Sequence, residues 1–252
     1  MEKKNYTNVT HGSEEQIESR KILLDLFKNT PIPDDEILVN LGLYWRSILL
    51  AKTLYLNELY QRILHIPGII VEFGTWWGAN LALFESFRSV YEPYNWTRRV
   101  VGFDTFEGYP SISPRDGNSP YVAVGGYSVT KGYEHYLKQV LDCHEKDNVL
   151  PHIPKYDIVK GDVVETIGEY LEQKPETIIA LAYFDLALYE PTKKCLETIK
   201  PHLVRGSVLA MDELNSRDFP GETIAIREVF GLDKHEVFRS QFLPDRCYII
   251  IG

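Results

Sequence analysis

Acidic side chains follow two apolar segments in the second half of the chain. Asp185 ends the run YFD, and Asp212 and Glu213 follow GSVLAM. If these segments are neighbouring parallel strands, three carboxylates converge at one edge of a sheet. Grouped negative charges are costly to bury without a neutralising cation, so the pattern predicts a hard divalent metal with oxygen ligands. Glu213 has an alternative interpretation as a simple cap on the segment that follows it.

A turn that could bind a cofactor lies earlier in the chain, in the segment VEFGTWWG. Its two glycines, Gly74 and Gly78, allow the backbone to turn tightly and approach a ligand. The spacing is not GxGxxG, which disfavours a dinucleotide. Glu72, just before the turn, disfavours a pyrophosphate but suits the ammonium group of an amino-acid-bearing cofactor. The alternative is that the glycines serve only the turn.

Two further acidic residues end the next predicted strands. Asp104 ends VVGFD, where a carboxylate can accept both ribose hydroxyls of an adenosine. Gly161 and Asp162 end the strand after it, where a small residue and an acceptor could frame the adenine. Taken alone, Gly-Asp is a weak signal because it is common in turns.

The elements that must position these residues alternate in type from Pro67 onward. Short β-rich runs alternate with helical periodicity, which predicts an α/β fold with a doubly wound, mostly parallel sheet and helices on both faces. The β-rich runs are GIIVEFG, RRVVGFD, YDIVKGD, TIIALAYFDLALY and GSVLAMDEL, and the helix candidates are residues 79–91, 132–145, 163–172, 190–200 and 222–230. The final segments HEVFRSQ and RCYIIIG predict an antiparallel pair at the sheet edge.

Two regions lie outside this alternation. Residues 1–66 read as a helical segment with two or three amphipathic helices, either a lid or an oligomer face, attached to a core of residues 67–252 within one domain. Residues 105–129 are rich in Gly, Pro and Ser and too long for an ordinary βα connection. Long loops above a rigid sheet often bind substrate, so this loop is a candidate for that role.

Composition limits the partners. The net charge of −9 has no clustered Lys and Arg, so we expect no nucleic-acid partner and a small-molecule substrate instead. The three cysteines are widely spaced without a CxxC motif, so neither a disulfide framework nor zinc is expected and a reducing cytoplasm is the simplest location. No apolar stretch suggests a signal peptide or a membrane span.

Several long segments carry a family resemblance, namely PIPDDEILVNLGLYWR, IIVEFGTWWGANLALF, RRVVGFDTFEGYP, IALAYFDLALYEPTKKCLETIKPHL and GSVLAMDELNSRDFPGETIAIREVFGLD. From about Pro31 to Gly252 the chain resembles the macrocin O-methyltransferase (TylF-type) family of metal-dependent sugar methyltransferases. The resemblance implies a class I methyltransferase fold with a seven-stranded sheet, S-adenosylmethionine (SAM) as cofactor and a magnesium-type site. It implies cofactor contacts at Glu72, Gly74, Asn80, Asp104 and Asp162, and metal contacts at Asp185, Asp212 and Glu213. Thr105 and Gly161, which adjoin two of these residues, are further candidates for cofactor contacts.

One position departs from the family pattern. The family usually has Asp-x-Asp-Leu-Tyr where this chain has Asp185-Leu-Ala187-Leu-Tyr. On a strand, positions 185 and 187 face the same side, so the missing carboxylate would stand beside the metal as general base. Three interpretations follow: an engineered inactivating substitution, which we favour, a natural enzyme with another base, or a chain that binds without catalysing.

The resemblance suggests how catalysis would work. A metal would hold two sugar hydroxyls and align one with the sulfonium methyl group. A nucleotide-linked deoxysugar such as TDP-rhamnose is the expected acceptor, with Arg46, Arg98, Arg99 or Arg115 as candidate phosphate contacts, although a solvated charge is the more common role for each. A homo-oligomer is expected. The alternatives are a non-catalytic SAM- or sugar-binding protein and, ranked lower, an NAD-dependent oxidoreductase.

Overall fold

The computed structural model describes residues 12–252. The N-terminal part is helical, as predicted, and it joins the core through its last helix. That helix buries Tyr55, Leu56, Leu59 and Tyr60, whereas the preceding helical elements bury no residue. These elements are α1 (Glu14–Lys28), α2 (Asp34–Ile37), a short 3₁₀ segment (Leu41–Tyr44) and α3 (Ser47–Arg62).

The core is a seven-stranded sheet, as the resemblance implied, and its strand order is β3-β2-β1-β4-β5-β7-β6. The first five strands of that order are parallel, and β7 runs antiparallel to both β5 and β6, so the predicted antiparallel edge pair is confirmed. The strands are β1 (Ile69–Phe73), β2 (Val100–Asp104), β3 (Tyr156–Lys160), β4 (Ile179–Phe184), β5 (Leu203–Met211), β6 (Val237–Arg239) and β7 (Cys247–Ile250).

Helices cover both faces of the sheet. Alternate strand residues belong to different apolar clusters: Val71 and Phe73 pack in one, and Ile70 packs in the other. Burial on both faces explains why β4 is a continuous apolar run and why Glu72 alone interrupts the apolar run of β1. The helices are α4 (Ala79–Tyr91), α5 (Tyr133–Asp147), α6 (Val163–Gln173), α7 (Tyr189–Ile199) and α8 (Gly221–Val229), each within two residues of its predicted bounds.

Strand register places the candidate residues in one row. Phe73 pairs with Phe103 of β2 and with Phe184 of β4, and Phe184 pairs with Met211 of β5. The sheet order changes direction between β1 and β4, where open α/β sheets form a ligand crevice. The residues that follow the paired ones therefore stand side by side across that crevice: Gly74, Asp104, Asp185 and Asp212.

The segment after β4 differs from the sequence expectation. β4 ends at Phe184, so Asp185 and Ala187 do not share a strand face, and that expectation is wrong. Ala187 instead adopts a left-handed backbone conformation with φ of 60°. The chain must turn sharply here because α7 begins only two residues later, at Tyr189.

Two expectations from composition can be compared directly with the structure. Cys143, Cys195 and Cys247 are free cysteines in the structure. Within residues 12–252, no helix is long and apolar enough to cross a bilayer.

Candidate active site

A cavity of about 260 Å³ opens at the carboxyl ends of the parallel strands. One side is formed by Gly74 just after β1, by the end of β2 and by the turn after β3, and the other side is formed by residues that directly follow β4 and β5. Tyr109, Pro110 and Tyr127 of the long loop also line the cavity, which agrees with the predicted position of that loop above the sheet.

Asp104 is the best-fixed carboxylate on the β1–β2 side of the cavity. Its two oxygens accept hydrogen bonds from the backbone N–H groups of Trp76 and Phe106, both at 2.6 Å. Trp76 and Phe106 have positive φ angles of 51° and 58°, which are uncommon for large side chains. Burial raises the pKa of Asp104, although the backbone N–H groups act against that shift. The carboxylate is thus oriented by its own loops.

The other predicted cofactor residues near Asp104 also line the cavity: Gly74, Thr105, Gly161 and Asp162. Gly74 has a φ of 90°, and a Cβ atom there would lie 2.0 Å from the carbonyl oxygen of Asp185, so only glycine fits. The hydroxyl of Thr105 donates to the carbonyl of Gly108 at 2.8 Å. The Asp162 side chain accepts from the N–H of Val164 at 3.0 Å and caps α6.

Glu72 and Asn80 lie behind this turn rather than in the cavity wall. Glu72 is fully buried, and the Asn80 amide donates to its Oε1 at 2.6 Å. Burial raises the pKa of Glu72. In the described part of the chain, Glu72 Oε2 and Thr75 Oγ1 are buried and have no hydrogen-bond partner. Unsatisfied polar atoms beside a glycine turn, together with Asp104, fit a polar cofactor such as SAM.

The acidic residues from β4 and β5 line the same cavity, as the sequence predicted. Asp185, Asp212 and Glu213 are all in its wall. Burial, together with the charge of Asp212, raises the pKa of Asp185 to about 7. Burial and the same neighbour raise the pKa of Glu213 to about 9. Among the described residues, no hydrogen-bond donor contacts the Asp185 carboxylate, so its oxygens remain available to a ligand.

Two cations that the sequence did not reveal stand among these acids. The Arg246 guanidinium, just before β7, lies 2.7 Å from Asp212 Oδ2. The Tyr183 hydroxyl donates to Asp212 Oδ1 at 2.5 Å. Lys52 of α3 also lines the cavity. Burial lowers the pKa of Lys52, but the negative charges of Asp212 and Asp185 outweigh it and leave the pKa raised.

Glu222 is a further buried carboxylate that sequence reasoning missed. From the first turn of α8 it accepts the backbone N–H groups of Leu186, Ala187 and Glu213, each at 3.0 Å. Gly221 lets α8 approach closely, because a Cβ atom there would lie 2.7 Å from the Ala187 carbonyl oxygen. Burial raises the pKa of Glu222 to about 8. Glu222 therefore ties together the loops that carry the acidic residues.

The donor set does not fit the magnesium site that the sequence predicted. Both oxygens of Asp212 are engaged, one by Tyr183 and the other by Arg246. Within residues 12–252, no three His, Cys, Asp or Glu side chains are arranged as ligands of a metal ion. Two cations in the wall would also repel a third. The three carboxylates meet in one cavity, but as partners of cationic side chains.

The four candidate arginines do not line the cavity. Arg98 is buried, forms an ion pair with Glu92 and donates hydrogen bonds to backbone carbonyls in the segment that precedes β1. The prediction that Arg98 contacts a phosphate is therefore wrong. Arg99 pairs with Asp157, and Arg115 pairs with Glu228. Arg46 is exposed at the start of α3.

Solved structures place this architecture among methyltransferases. The crystal structure of CalS11, calicheamicin methyltransferase, is 42% identical over the whole of both chains, with a TM-score of 0.94. The apo structure of CalS11, a TDP-rhamnose 3'-O-methyltransferase, is 42% identical over 96% of this chain and 97% of that one, with a TM-score of 0.86. The O-methyltransferase NovP shares the fold at 18% identity over 78% and 79% of the chains, with a TM-score of 0.58.

No protein-family model and no curated protein sequence matches the chain. The similarity to CalS11 nonetheless extends over the full length of both chains. The sheet has the strand order of a class I methyltransferase, the fold that the resemblance implied. The chain therefore belongs to the family of class I O-methyltransferases that includes CalS11.

Proposed function

We propose that this protein transfers a methyl group from SAM to a hydroxyl of a nucleotide-linked deoxysugar, with TDP-rhamnose as the test acceptor. The observation that carries the proposal is the row formed by Gly74, Asp104, Asp185 and Asp212 along one cavity. One half of the row suits a nucleoside, and the other half presents a carboxylate with free oxygens. The 42% identity to a TDP-rhamnose 3'-O-methyltransferase supports the class of acceptor.

The cofactor is assigned to the half of the cavity formed by β1, β2 and the turn after β3. Each Asp104 oxygen accepts one backbone N–H group and has a second lone pair, with which it would accept a ribose hydroxyl. Gly74 keeps the turn open to the amino-acid part of the cofactor. Gly161 and Asp162 would flank the adenine. When bound, SAM supplies an electrophilic methyl group, and its sulfur keeps the electron pair of the broken bond.

Asp185 is the base in this proposal. Its carboxylate lies in the cavity wall with no donor bound to it in the described chain, and it can take the proton from the acceptor hydroxyl as that oxygen gains the methyl group. Tyr109 and Tyr127 of the long loop line the cavity, where their rings would help to exclude water. Magnesium dependence stays a prediction of the resemblance, and no step here passes through a metal.

The second interpretation of Ala187, a natural enzyme with another base, fits this arrangement best. Ala187 lines the cavity beside Asp185, and its backbone N–H group donates a hydrogen bond to Glu222. The loop is therefore held in place without a carboxylate side chain at position 187. The left-handed conformation at Ala187 is one that Asp and Asn adopt more readily than Ala, so the position accepts an aspartate. An engineered truncation therefore stays a hypothesis that restoring the aspartate would test.

We also propose that the N-terminal helices pack against a second copy of the chain. α1 has fifteen residues and buries none, and isolated helices of that length are marginal in water. Apolar side chains are exposed along it and beyond it, including Ile22, Leu26, Leu38, Val39 and Leu43. Light scattering coupled to size exclusion should give a mass above that of one chain, and a monomer would contradict this assignment.

The test of function is direct. Purified protein is incubated with methyl-deuterated SAM and TDP-rhamnose, and the sugar nucleotide is analysed by mass spectrometry. We expect one labelled methyl group on the sugar and stoichiometric S-adenosylhomocysteine (SAH). SAH binding without transfer to any tested sugar nucleotide would support the non-catalytic alternative, and no SAH binding would contradict the cofactor assignment.

A further inference from the structure

Two cationic side chains stand where the resemblance places a magnesium ion. Lys52 comes from α3 and Arg246 precedes β7, so the cations belong to opposite ends of the sequence. Both line the cavity together with Asp185, Asp212 and Glu213. A group of carboxylates needs a neutralising charge when it is buried, and here the protein itself provides that charge.

Arg246 occupies the position that a metal would need beside Asp212. Its two terminal nitrogens lie 2.7 Å from Asp212 Oδ2 and 2.7 Å from Asp245 Oδ2. The other oxygen of Asp212 is bound by the Tyr183 hydroxyl. A divalent ion would have to displace the guanidinium from a buried carboxylate, which leaves Arg246 with the more exposed Asp245 as its remaining ion-pair partner and costs free energy.

The ammonium group of Lys52 has unused hydrogen-bond donors. Among the described residues, no hydrogen-bond acceptor or carboxylate lies within bonding distance of its ammonium group. The negative charges of Asp212, Asp185 and Glu72 nevertheless act to raise the pKa of Lys52. An ammonium group carries three N–H donors and binds oxygen atoms. In the cavity wall, next to the free carboxylate of Asp185, its donors are available to an oxygen of the ligand.

We propose that Lys52 and Arg246 take the place of the divalent cation in this chain. Arg246 neutralises and holds Asp212, and Lys52 binds the acceptor oxygen that loses its proton to Asp185. Methyl transfer then requires no metal. The assignment of Lys52 to the acceptor rests on the proposed function, whereas the exclusion of metal by Arg246 does not.

The first experiment measures metal binding without any substrate. Mn²⁺ is titrated into the protein and the free ion is followed by electron paramagnetic resonance. We expect no bound Mn²⁺ in the wild-type protein up to millimolar concentration, but one bound ion in the Arg246→Met variant and tighter binding in the Lys52→Met/Arg246→Met variant. The charge-preserving Arg246→Lys variant is the matched control and should bind none.

Micromolar Mn²⁺ binding by the wild-type protein would overturn the proposal, whether or not the variants fold. Circular dichroism checks that the variants are folded. If folded Arg246→Met and the double variant both fail to bind Mn²⁺, the cations are not what excludes the metal and the proposal is equally wrong. Neither result depends on which sugar, if any, is the acceptor.

The second experiment separates acceptor binding from cofactor binding. With EDTA present, wild-type turnover should stay within about twofold of its value with magnesium, because no metal-stabilised charge is lost. Lys52→Met should raise the acceptor KM about 10- to 100-fold, as expected for a lost charge-assisted hydrogen bond, and Lys52→Arg should recover most of it. The Kd for SAH should be unchanged.

Three results would overturn this part: loss of turnover in EDTA, a weaker Kd for SAH with an unchanged acceptor KM in Lys52→Met, or no recovery in Lys52→Arg. The second would make Lys52 a ligand of the cofactor. If no tested acceptor is methylated, the proposed function fails, and the Mn²⁺ titration alone still decides whether the cations replace the metal.

Discussion

The two halves of the cavity hold their carboxylates in different ways. In the half proposed for the cofactor (the cofactor half), Asp104 is bound by backbone N–H groups of Trp76 and Phe106, in the loops that follow β1 and β2. In the half proposed for the acceptor, at the ends of β4 and β5 (the acceptor half), Asp212 is bound by side chains, from Tyr183 on the neighbouring strand and from Arg246 just before β7. One carboxylate is fixed by local backbone and the other by distant charges.

This difference indicates where each half can change. A backbone-bound carboxylate depends on the turn conformation, so the cofactor half should tolerate few substitutions. A carboxylate held by an arginine depends on charge balance, so exchanging one cation for another is possible without altering the fold. The predictions below test whether the halves act separately.

The largest expected effect is at Asp185. We expect Asp185→Asn to lower kcat by about 10²- to 10⁴-fold, the usual loss when a general base is removed, and to leave the Kd for SAH within about threefold. Turnover is measured by mass spectrometry and SAH binding by calorimetry. Asp245→Asn is the control because Asp245 is another aspartate close to Arg246, with which it forms an ion pair, but it does not line the cavity. Equal losses in the two variants would remove Asp185 from the role of base.

Asp104→Ala tests the opposite half. If Asp104 accepts the two ribose hydroxyls as proposed, its removal should weaken SAH binding by about 100-fold, since hydrogen bonds to charged groups contribute about 1.5–3 kcal/mol each and bound water partly compensates. Calorimetry measures the affinity. An unchanged Kd for SAH would show that the cofactor does not lie against β2.

Glu222→Gln tests the link between the loops of the acceptor half. The amide cannot accept from all three backbone N–H groups that Glu222 binds, so we expect a loss of about 1–3 kcal/mol and a fall in Tm of about 3–9 °C. Glu228→Gln on the same helix is the control, because its ion pairs are exposed and worth little. A Tm equal to that of the control would contradict the positioning role.

The smallest expected effect is that of Ala187→Asp. With Asp185 as base, kcat should change by less than about threefold, and the folded state should tolerate the residue because Asp readily adopts a left-handed conformation. Enzyme assay and thermal unfolding measure both. A rise in kcat of about 100-fold or more would show that the chain lacks its base and would restore the interpretation of an engineered truncation.

Sequence reasoning worked best where residues near in the chain determine structure. The row from Gly74 to Asp212 was predictable because each residue follows a recognisable apolar strand, and strand ends meet at one sheet edge. The turn at Ala187 was missed because the apolar run continues past Phe184, and only the approach of α8 shows why the strand stops. The apolar pattern alone carries no such signal.

The cations were beyond sequence reasoning for a different reason. Lys52 lies on a helix whose other polar positions look like an ordinary solvated face, and Arg246 sits in a short connection before the last strand. Each meets its carboxylates only through tertiary packing across the sheet. Charge partners separated by so many residues leave no spacing pattern, so the metal was the simplest prediction for acids whose partners were unknown.

The most direct test of the account is a crossed calorimetric titration. SAH and TDP-rhamnose are each titrated into the wild-type protein, Asp104→Ala and Asp185→Asn, all in EDTA. We expect that Asp104→Ala loses SAH but keeps the sugar nucleotide, and that Asp185→Asn keeps SAH but binds the sugar nucleotide more weakly. Loss of both ligands in each variant, or of neither in both, would contradict a cavity with separate cofactor and acceptor halves.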